Sequence, residues 1–233
     1  MNDRGLNHLS EDATGFGQAE WRTLRDSLIR PRELLEAYMV QGPDGGGGHY
    51  ARPLRLYLAL CGILMLVLFL KGGTGFYITG LPADILDPLI EASGKSRELF
   101  VADADNWMSL TMVPVLLAFY ALISAPLLRW WDPEDLGWRK AFRATFAFLN
   151  ALTLVTLPIS WFAYDVATSG YWALFLSAAS IAIFMRMGWG RWFTAPLFGL
   201  AKAVALTIGI QIFGGVGLLP VVTIGLMAAT YAP

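Results

Sequence analysis

Long, nearly uncharged stretches of apolar residues alternate with short polar segments along the chain. The apolar stretches are Leu56–Leu70, Trp107–Leu128, Ala144–Tyr164, Val166–Met185 and Trp192–Pro233. A helix needs about 20 apolar residues to cross the roughly 30 Å hydrocarbon core of a membrane. The first stretch is shorter, but Arg55 and Lys71 can lengthen it because their stems stay in lipid while their charges reach the headgroups. The pattern predicts an all-α, polytopic membrane helix bundle.

The last stretch is too long for one ordinary span. Residues that often interrupt helices cluster near its middle, namely Gly214, Gly215, Gly217 and Pro220. One interpretation is a fifth helix at Pro196–Phe213 followed by a short sixth at Leu218–Tyr231. The other is one helix that continues as a kinked or re-entrant tail. We favour five transmembrane helices followed by a hydrophobic C-terminal segment.

Apolar residues in Trp21–Val40 recur at nearly helical spacing. Pro31 should divide this segment into two short helices, because proline is tolerated in the first turn of the second. The arginines between the apolar positions are Arg22, Arg25, Arg30 and Arg32. The segment is either an amphipathic anchor on anionic lipid or a helix pair packed under the bundle. Gly42–Gly48 predicts a flexible hinge within a cytoplasmic N-terminal arm at 1–53, and the transmembrane bundle occupies residues 54–233.

Basic residues alternate between successive loops, and this predicts the orientation of the chain. Residues 1–55, 129–143 and 186–191 are rich in Lys and Arg, whereas 71–106 carries more acids than bases. Basic loops stay on the cytoplasmic side, so we expect a cytoplasmic N-terminus and an outer loop at 71–106. Leu81–Ser93 predicts an amphipathic surface helix in that loop. Residues 1–20 lack both a basic start and an apolar run, so we expect no signal peptide, and we expect the bacterial inner membrane as the location of the protein.

Composition supports a membrane protein and narrows its partners. The 233 residues are 56% hydrophobic and 15% charged, with a mean hydropathy of +0.52, whereas soluble proteins contain about 25% charged residues. A net charge of −1 gives no basic surplus for nucleic acid. The single cysteine, Cys61, can form neither an intrachain disulfide nor a CxxC metal site, and we expect a small buried apolar side chain.

Lys202 is the clearest ionisable residue inside a predicted span. Charges in lipid are costly and often functional, so Lys202 could be a counter-ion, an anion-binding group or a Schiff-base lysine. Its position six residues after Pro196 also lets it reach the headgroups, and we favour this interpretation. His8 and His49 precede the first span, which argues against ligation of haem or a pigment within the membrane.

No catalytic motif, such as a nucleophile–base set, a zinc motif or a nucleotide-binding loop, is recognisable. We therefore predict no enzymatic activity, and no catalytic, cofactor-binding or metal-binding residues. Bound lipid is expected, and contact with a pigment without ligation stays open.

Two rows of small residues are candidates for helix contacts. A polar stripe in the third span consists of Thr145, Asn150, Thr153, Thr156 and Ser160. These side chains share a face and could line a solute path or form hydrogen bonds between helices. A second row, Ala201, Ala205 and Gly209, recurs every four residues in the fifth span and would let another helix approach closely.

Two segments carry a family resemblance. They are Arg30–Pro31–Arg32 with Glu36 and Tyr38, continued by His49–Tyr57, and the loop Arg129–Ala147. The chain resembles an uncharacterised family of bacterial membrane proteins over residues 22–210, and more distantly the five-helix Yip-type trafficking proteins. The resemblance implies a five-helix membrane domain without known catalysis. Family members often begin with a four-cysteine zinc ribbon, for which this chain lacks the cysteines.

These observations favour a non-catalytic inner-membrane protein. It would be an accessory or scaffold subunit that packs against a larger complex, such as a respiratory or photosynthetic one, with other integral membrane subunits, a second copy of itself and the lipid bilayer as its partners. The alternative is a transporter or channel for a small solute or lipid, which would use the polar stripe and the broken last segment.

Overall fold

The structure, a computed structural model, describes residues 17–40, 49–134, 136–163 and 168–231. Within these ranges it is helical, and its only β-structure is an isolated bridge between Trp189 and Phe193. The first 16 residues and the predicted hinge at Gly42–Gly48 lie outside the described residues.

The helices follow one another with short connections. In chain order they are α1 Gln18–Ile29, α2 Pro31–Val40, α3 Pro53–Leu70, α4 Phe76–Thr79, α5 Ala83–Ser93, α6 Arg97–Trp131, α7 Trp138–Ala163, α8 Ser169–Gly188 and α9 Pro196–Tyr231. Five of them, α3 and α6 to α9, are long and apolar enough to cross a membrane. The predicted all-α membrane bundle with five spanning helices is confirmed, as are the two short helices divided before Pro31.

The last apolar stretch is one continuous helix, which corrects the interpretation with a separate sixth helix. Helix α9 runs for 36 residues and contains Pro220 in its interior. Proline removes one backbone donor and usually kinks a helix, but packing against a neighbouring helix can hold such a segment together in a membrane. Helix α6 is that neighbour, and it is also longer than predicted, since it begins at Arg97 inside the expected outer loop.

Glycines on α9 let α6 approach closely along an antiparallel seam. A Cβ atom at Gly209 would lie 2.8 Å from Ile123, and one at Gly225 would lie 2.5 Å from Met108. The partner numbers fall along α6 as the numbers rise along α9, so the two helices run in opposite directions. The glycines therefore serve close packing, and this is why they do not interrupt α9.

The N-terminal arm packs under its own bundle. Leu34, Leu35 and Tyr38 on α2 are fully buried in a cluster that includes residues of α7 and α8. The arginines Arg22, Arg25, Arg30 and Arg32 remain exposed. The segment thus packs under the bundle, which is the second arrangement considered for it. Helix α2 places its apolar side on the bundle, whereas α1 buries Thr23, Asp26 and Ser27 and leaves Trp21, Leu28 and Ile29 exposed.

The bundle has two distinct ends, which we call the arm end and the loop end. The arm end contains α1, α2 and the start of α3, and the loop end contains α4 and α5. The basic residues at the arm end are Arg22, Arg25, Arg30, Arg32, Arg52, Arg55, Arg129, Arg139, Lys140, Arg143, Arg186, Arg191 and Lys202. The smaller set at the loop end is Lys71, Lys95 and Arg97.

The α3–α4 turn at the loop end is tied to α6. The positive φ angles of Gly72 (103°) and Gly73 (80°) turn the chain sharply after α3. The backbone N–H and the hydroxyl of Thr74 then donate hydrogen bonds to the carboxylate of Asp105. An acid of the predicted outer loop therefore has a structural role in the described loop end.

Candidate functional site

The central cavity of the bundle is the strongest candidate site. It has a volume of about 470 Å³ and lies between α3, α6, α7, α8 and α9. Its polar lining residues are Tyr57, Cys61, Tyr77, Tyr120, Thr153, Thr156, Ser177, Ser180, Thr207 and Gln211. The other lining residues are Ala, Leu, Met, Val, Ile and Gly, and none of the lining residues is Asp, Glu, Lys, Arg or His. The cavity therefore suits an uncharged molecule that is mainly apolar.

Hydroxyl groups in the cavity wall are already oriented by short hydrogen bonds. The Ser180 Oγ and Thr207 Oγ1 atoms lie 2.8 Å apart and join α8 to α9. The Thr156 hydroxyl donates to the carbonyl of Leu152, 2.9 Å away, in its own helix. A hydroxyl that donates one bond still has lone pairs to accept another, so the wall offers fixed acceptors for a ligand hydroxyl or N–H.

The cavity reaches the outer surface between α8 and α9. Three of its lining residues, Ala173, Gln211 and Gly215, are also exposed on the bundle surface. Apart from its chain neighbours and its own helix backbone, no atom lies within 4 Å of the position that a Cβ would take at Gly215. The Gln211 amide crosses this α8–α9 opening and donates a 2.5 Å hydrogen bond to the Ser177 hydroxyl. The opening lies beside the middle of α9, at Gln211 and Gly215, and beside the first half of α8.

The structure divides the predicted polar stripe of the third span among different environments. Thr153 and Thr156 line the cavity, whereas Thr145 and Asn150 are buried elsewhere, with the Asn150 Nδ2 atom donating to the carbonyl of Pro53 at 2.9 Å. Ser160 donates to the carbonyl of Leu157 in its own helix. The stripe thus contributes two residues to the cavity and one tie between α7 and α3.

The predicted small-residue row of the fifth span is also divided. Gly209 packs against Ile123 of α6, while Ala201 and Ala205 are exposed on the bundle surface. The internal seam of α9 instead uses residues such as Gly217 and Gly225. A partner-binding role for Ala201 and Ala205 stays a prediction.

Lys202 lies at the arm end and contacts the turn before its own helix. Its Nζ atom donates to the carbonyl of Trp192 at 2.5 Å and lies 5.7 Å from the centroid of the Trp131 ring. These contacts fit an end-placed lysine that stabilises the α8–α9 turn. Cys61, in turn, is buried and free, as expected.

A buried ion pair next to Lys202 was missed by sequence reasoning. Arg191 in the α8–α9 turn forms two hydrogen bonds to the carboxylate of Asp132, of 2.6 and 2.9 Å, and the Asp132 side chain has no exposed surface. The indole N–H of Trp192 donates to the same carboxylate at 3.1 Å. Burial acts to lower the pKa of Arg191, but the hydrogen bond and charge of Asp132, together with Glu134, raise it overall. This cluster joins the α6–α7 and α8–α9 connections.

A second buried carboxylate holds the arm. Asp26 on α1 is 3% exposed and accepts hydrogen bonds from Arg25 Nε at 2.9 Å and from the Tyr50 hydroxyl at 3.0 Å. Burial acts to raise the pKa of Asp26, but these two hydrogen bonds and the charges of Arg25 and Arg30 outweigh it and lower that pKa. Nearby, the Thr23 hydroxyl oxygen accepts a 2.8 Å bond from the backbone N–H of Ala51.

Acidification is expected to loosen the arm. In the folded protein the pKa of Asp26 lies below its unfolded value of about 3.9. The ionised carboxylate therefore contributes its full stabilisation of the arm at pH values above this unfolded pKa. This contribution is lost as the pH falls through the folded pKa. The protection of the α1 amides against hydrogen exchange, corrected for the intrinsic pH dependence of exchange, should therefore decrease from about pH 5 downwards.

Asp26→Asn serves as the control for this experiment. It should reduce protection of α1 already at neutral pH and remove most of the acid dependence. If Asp26→Asn kept the acid dependence of the original protein, another carboxylate would be responsible.

Among the described residues, no group of three or more His, Cys, Asp or Glu side chains could hold a metal ion. Protein-family models, curated proteins and solved structures were all compared with the chain, and none of them matches it significantly. The resemblance to the bacterial five-helix family therefore stays a prediction.

Proposed function

We propose that this membrane protein binds an uncharged, mainly apolar small molecule in its central cavity and exchanges it with the bilayer. The observation that carries the proposal is the α8–α9 opening, where a cavity with polar hydroxyls meets the outer surface of the bundle. A soluble ligand would need an aqueous route, whereas a molecule dissolved in lipid can enter directly from the side.

The chemistry of the wall defines the ligand class. Burying an ion in such a cavity would be costly without a charged partner, and no lining residue carries a full charge. A hydrocarbon body fits the Leu, Met and Val surfaces, and one hydroxyl, carbonyl or amide can pair with Thr207, Ser180 or Gln211. This proposal develops the transporter alternative, but with a lateral opening in place of a broken helix.

Photolabelling with a fatty alcohol that carries a diazirine tests the proposal. In reconstituted protein, labels should appear on cavity residues such as Met65, Met112 and Gln211, and excess unlabelled alcohol should compete. Thr156→Leu adds an apolar side chain to the cavity wall and should reduce this labelling by about tenfold, equivalent to about 1.4 kcal/mol of binding. The size of the effect follows from overfilling a preformed site.

Thr223→Leu is the matched control, because Thr223 is exposed on α9 and forms the same bond within its helix, to the carbonyl of Leu219. It should leave cavity labelling unchanged. Labelling confined to outer, lipid-facing residues, or labelling that Thr156→Leu does not reduce, would contradict the proposal.

A scaffold role is the second candidate, and the exposed pair Ala201 and Ala205 favours it. Small residues on the surface of a spanning helix allow close approach of another helix. Proteins that co-purify with the same preparation in mild detergent would support this role. We propose no catalytic activity and no resident cofactor.

For orientation, we propose that the arm end faces the cytoplasm of a bacterial inner membrane. The support is the concentration of Lys and Arg at that end, which is the distribution that cytoplasmic loops carry.

A further inference from the structure

A second, larger recess lies at the arm end, away from the central cavity. It is a groove of about 930 Å³ between the start of α3, the second half of α6 and the start of α7. Its apolar wall consists of Pro53, Leu54, Leu117, Ala118, Ala121, Leu122, Ala125, Pro126, Trp138, Phe142 and Phe146. The groove exists because the α6 residues that line it include the alanines Ala118, Ala121 and Ala125, whereas larger side chains at these positions would fill it.

Three arginines stand at the polar end of this groove. Arg52 precedes α3, and Arg139 and Arg143 lie one turn apart on α7. Arg52 and Arg139 are exposed, whereas Arg143 is 8% exposed and one of its guanidinium nitrogens donates to the carbonyl of Tyr38 at 3.4 Å. None of the residues that line the groove is acidic. The groove therefore combines a positive end with an apolar body.

The depth of the groove corresponds to one leaflet. Along α6 it extends from Leu117 to Pro126, which is about 14 Å at 1.5 Å per residue. Half of the hydrocarbon core measures roughly 15 Å. A groove that is positive at the headgroup level and apolar through one leaflet has the shape and charge of a phospholipid site, because guanidinium groups pair with phosphate oxygens in a bidentate geometry.

We propose that this groove binds one anionic glycerophospholipid from the leaflet at the arm end. The phosphate lies between Arg52 and Arg139, with Arg143 behind them, and an acyl chain lies along the alanines of α6. Basic recesses between spanning helices generally select anionic headgroups. The lipid would tie α3, α6 and α7 together at this end, independently of any ligand in the central cavity.

Native mass spectrometry of the protein in mixed micelles of phosphatidylglycerol and phosphatidylcholine tests this site. The double variant Arg52→Gln/Arg139→Gln should lower the retention of phosphatidylglycerol relative to phosphatidylcholine by about tenfold, the effect expected when a charge-assisted hydrogen bond to phosphate is lost. Ala118→Phe retains every charge but fills the groove, and it should lower the retention of phosphatidylglycerol as well.

The double variant Arg22→Gln/Arg30→Gln is the matched control, since it removes the same charge from exposed positions on the arm. It should retain phosphatidylglycerol like the original protein. The proposal is overturned if this control loses as much phosphatidylglycerol as the groove variant, which would indicate general charge attraction. It is equally overturned if Ala118→Phe has no effect, or if inorganic phosphate displaces the retained lipid completely.

Discussion

Replacement of Asp132 by alanine should destabilise the protein by about 3 kcal/mol, because it removes the bidentate partner of the mostly buried Arg191 guanidinium, which keeps only the exposed carboxylate of Glu134. The same change removes the acceptor of the Trp192 indole N–H. The α6–α7 and α8–α9 connections would lose their common tie, and we expect these two connections to separate first at the arm end. The free energy of unfolding can be measured by equilibrium unfolding in mixed detergent micelles.

Glu36→Ala provides the comparison for Asp132→Ala. Glu36 pairs with Arg32 at 2.9 Å, but both side chains are 47% exposed, and such surface pairs contribute at most about 1 kcal/mol. A loss of stability in Asp132→Ala no larger than in Glu36→Ala would mean that the Asp132 carboxylate is hydrated in solution.

Gly225→Leu is expected to force α6 and α9 apart. Even a Cβ atom at this position would lie 2.5 Å from the Cγ of Met108 and 3.0 Å from the backbone carbonyl oxygen of Ala104. The Met108 side chain can move, but neither the Cβ atom nor the backbone oxygen of Ala104 can rotate away, so the helices must separate. We expect a loss of about 3 kcal/mol, at the upper end of overpacking effects, in the same unfolding measurement.

Gly215→Leu tests whether the effect of Gly225→Leu is specific to the seam. No atom outside its own helix backbone lies within 4 Å of a Cβ at Gly215, so this variant should stay within about 0.5 kcal/mol of the original protein. Equal losses in the two variants would indicate that leucine at a helix glycine is harmful in itself and that the seam is not tightly packed.

Much of the fold was predictable, because spanning helices follow from runs of apolar residues alone. The five spans, the division at Pro31 and the surface helix at α5 depend on local sequence, and all appear in the structure. The continuity of α9 was not predictable from the same rules. Glycine can end a helix or admit a close neighbour, and only the position of α6 distinguishes these two roles at Gly217 and Gly225.

The candidate site was less accessible to sequence reasoning. Thr153 and Thr156 were singled out correctly as neighbours on one face, but Ser180, Thr207 and Gln211 come from other helices whose rotation a single sequence does not specify. The pairing of Asp132 with Arg191 joins residues 59 positions apart, and no periodic pattern indicates such a contact. The groove depends likewise on the relative placement of three helices.

The length of α9 has a consequence for the membrane around the protein. After Lys202, residues 203–231 contain no charged side chain and extend for about 44 Å as a helix, whereas the hydrocarbon core is roughly 30 Å thick. Such hydrophobic mismatch is relieved when the helix tilts or the surrounding bilayer thickens. The α6–α9 pair would therefore tilt more strongly in thin bilayers. Because α9 forms one side of the α8–α9 opening, the thickness of the bilayer can change the width of that opening.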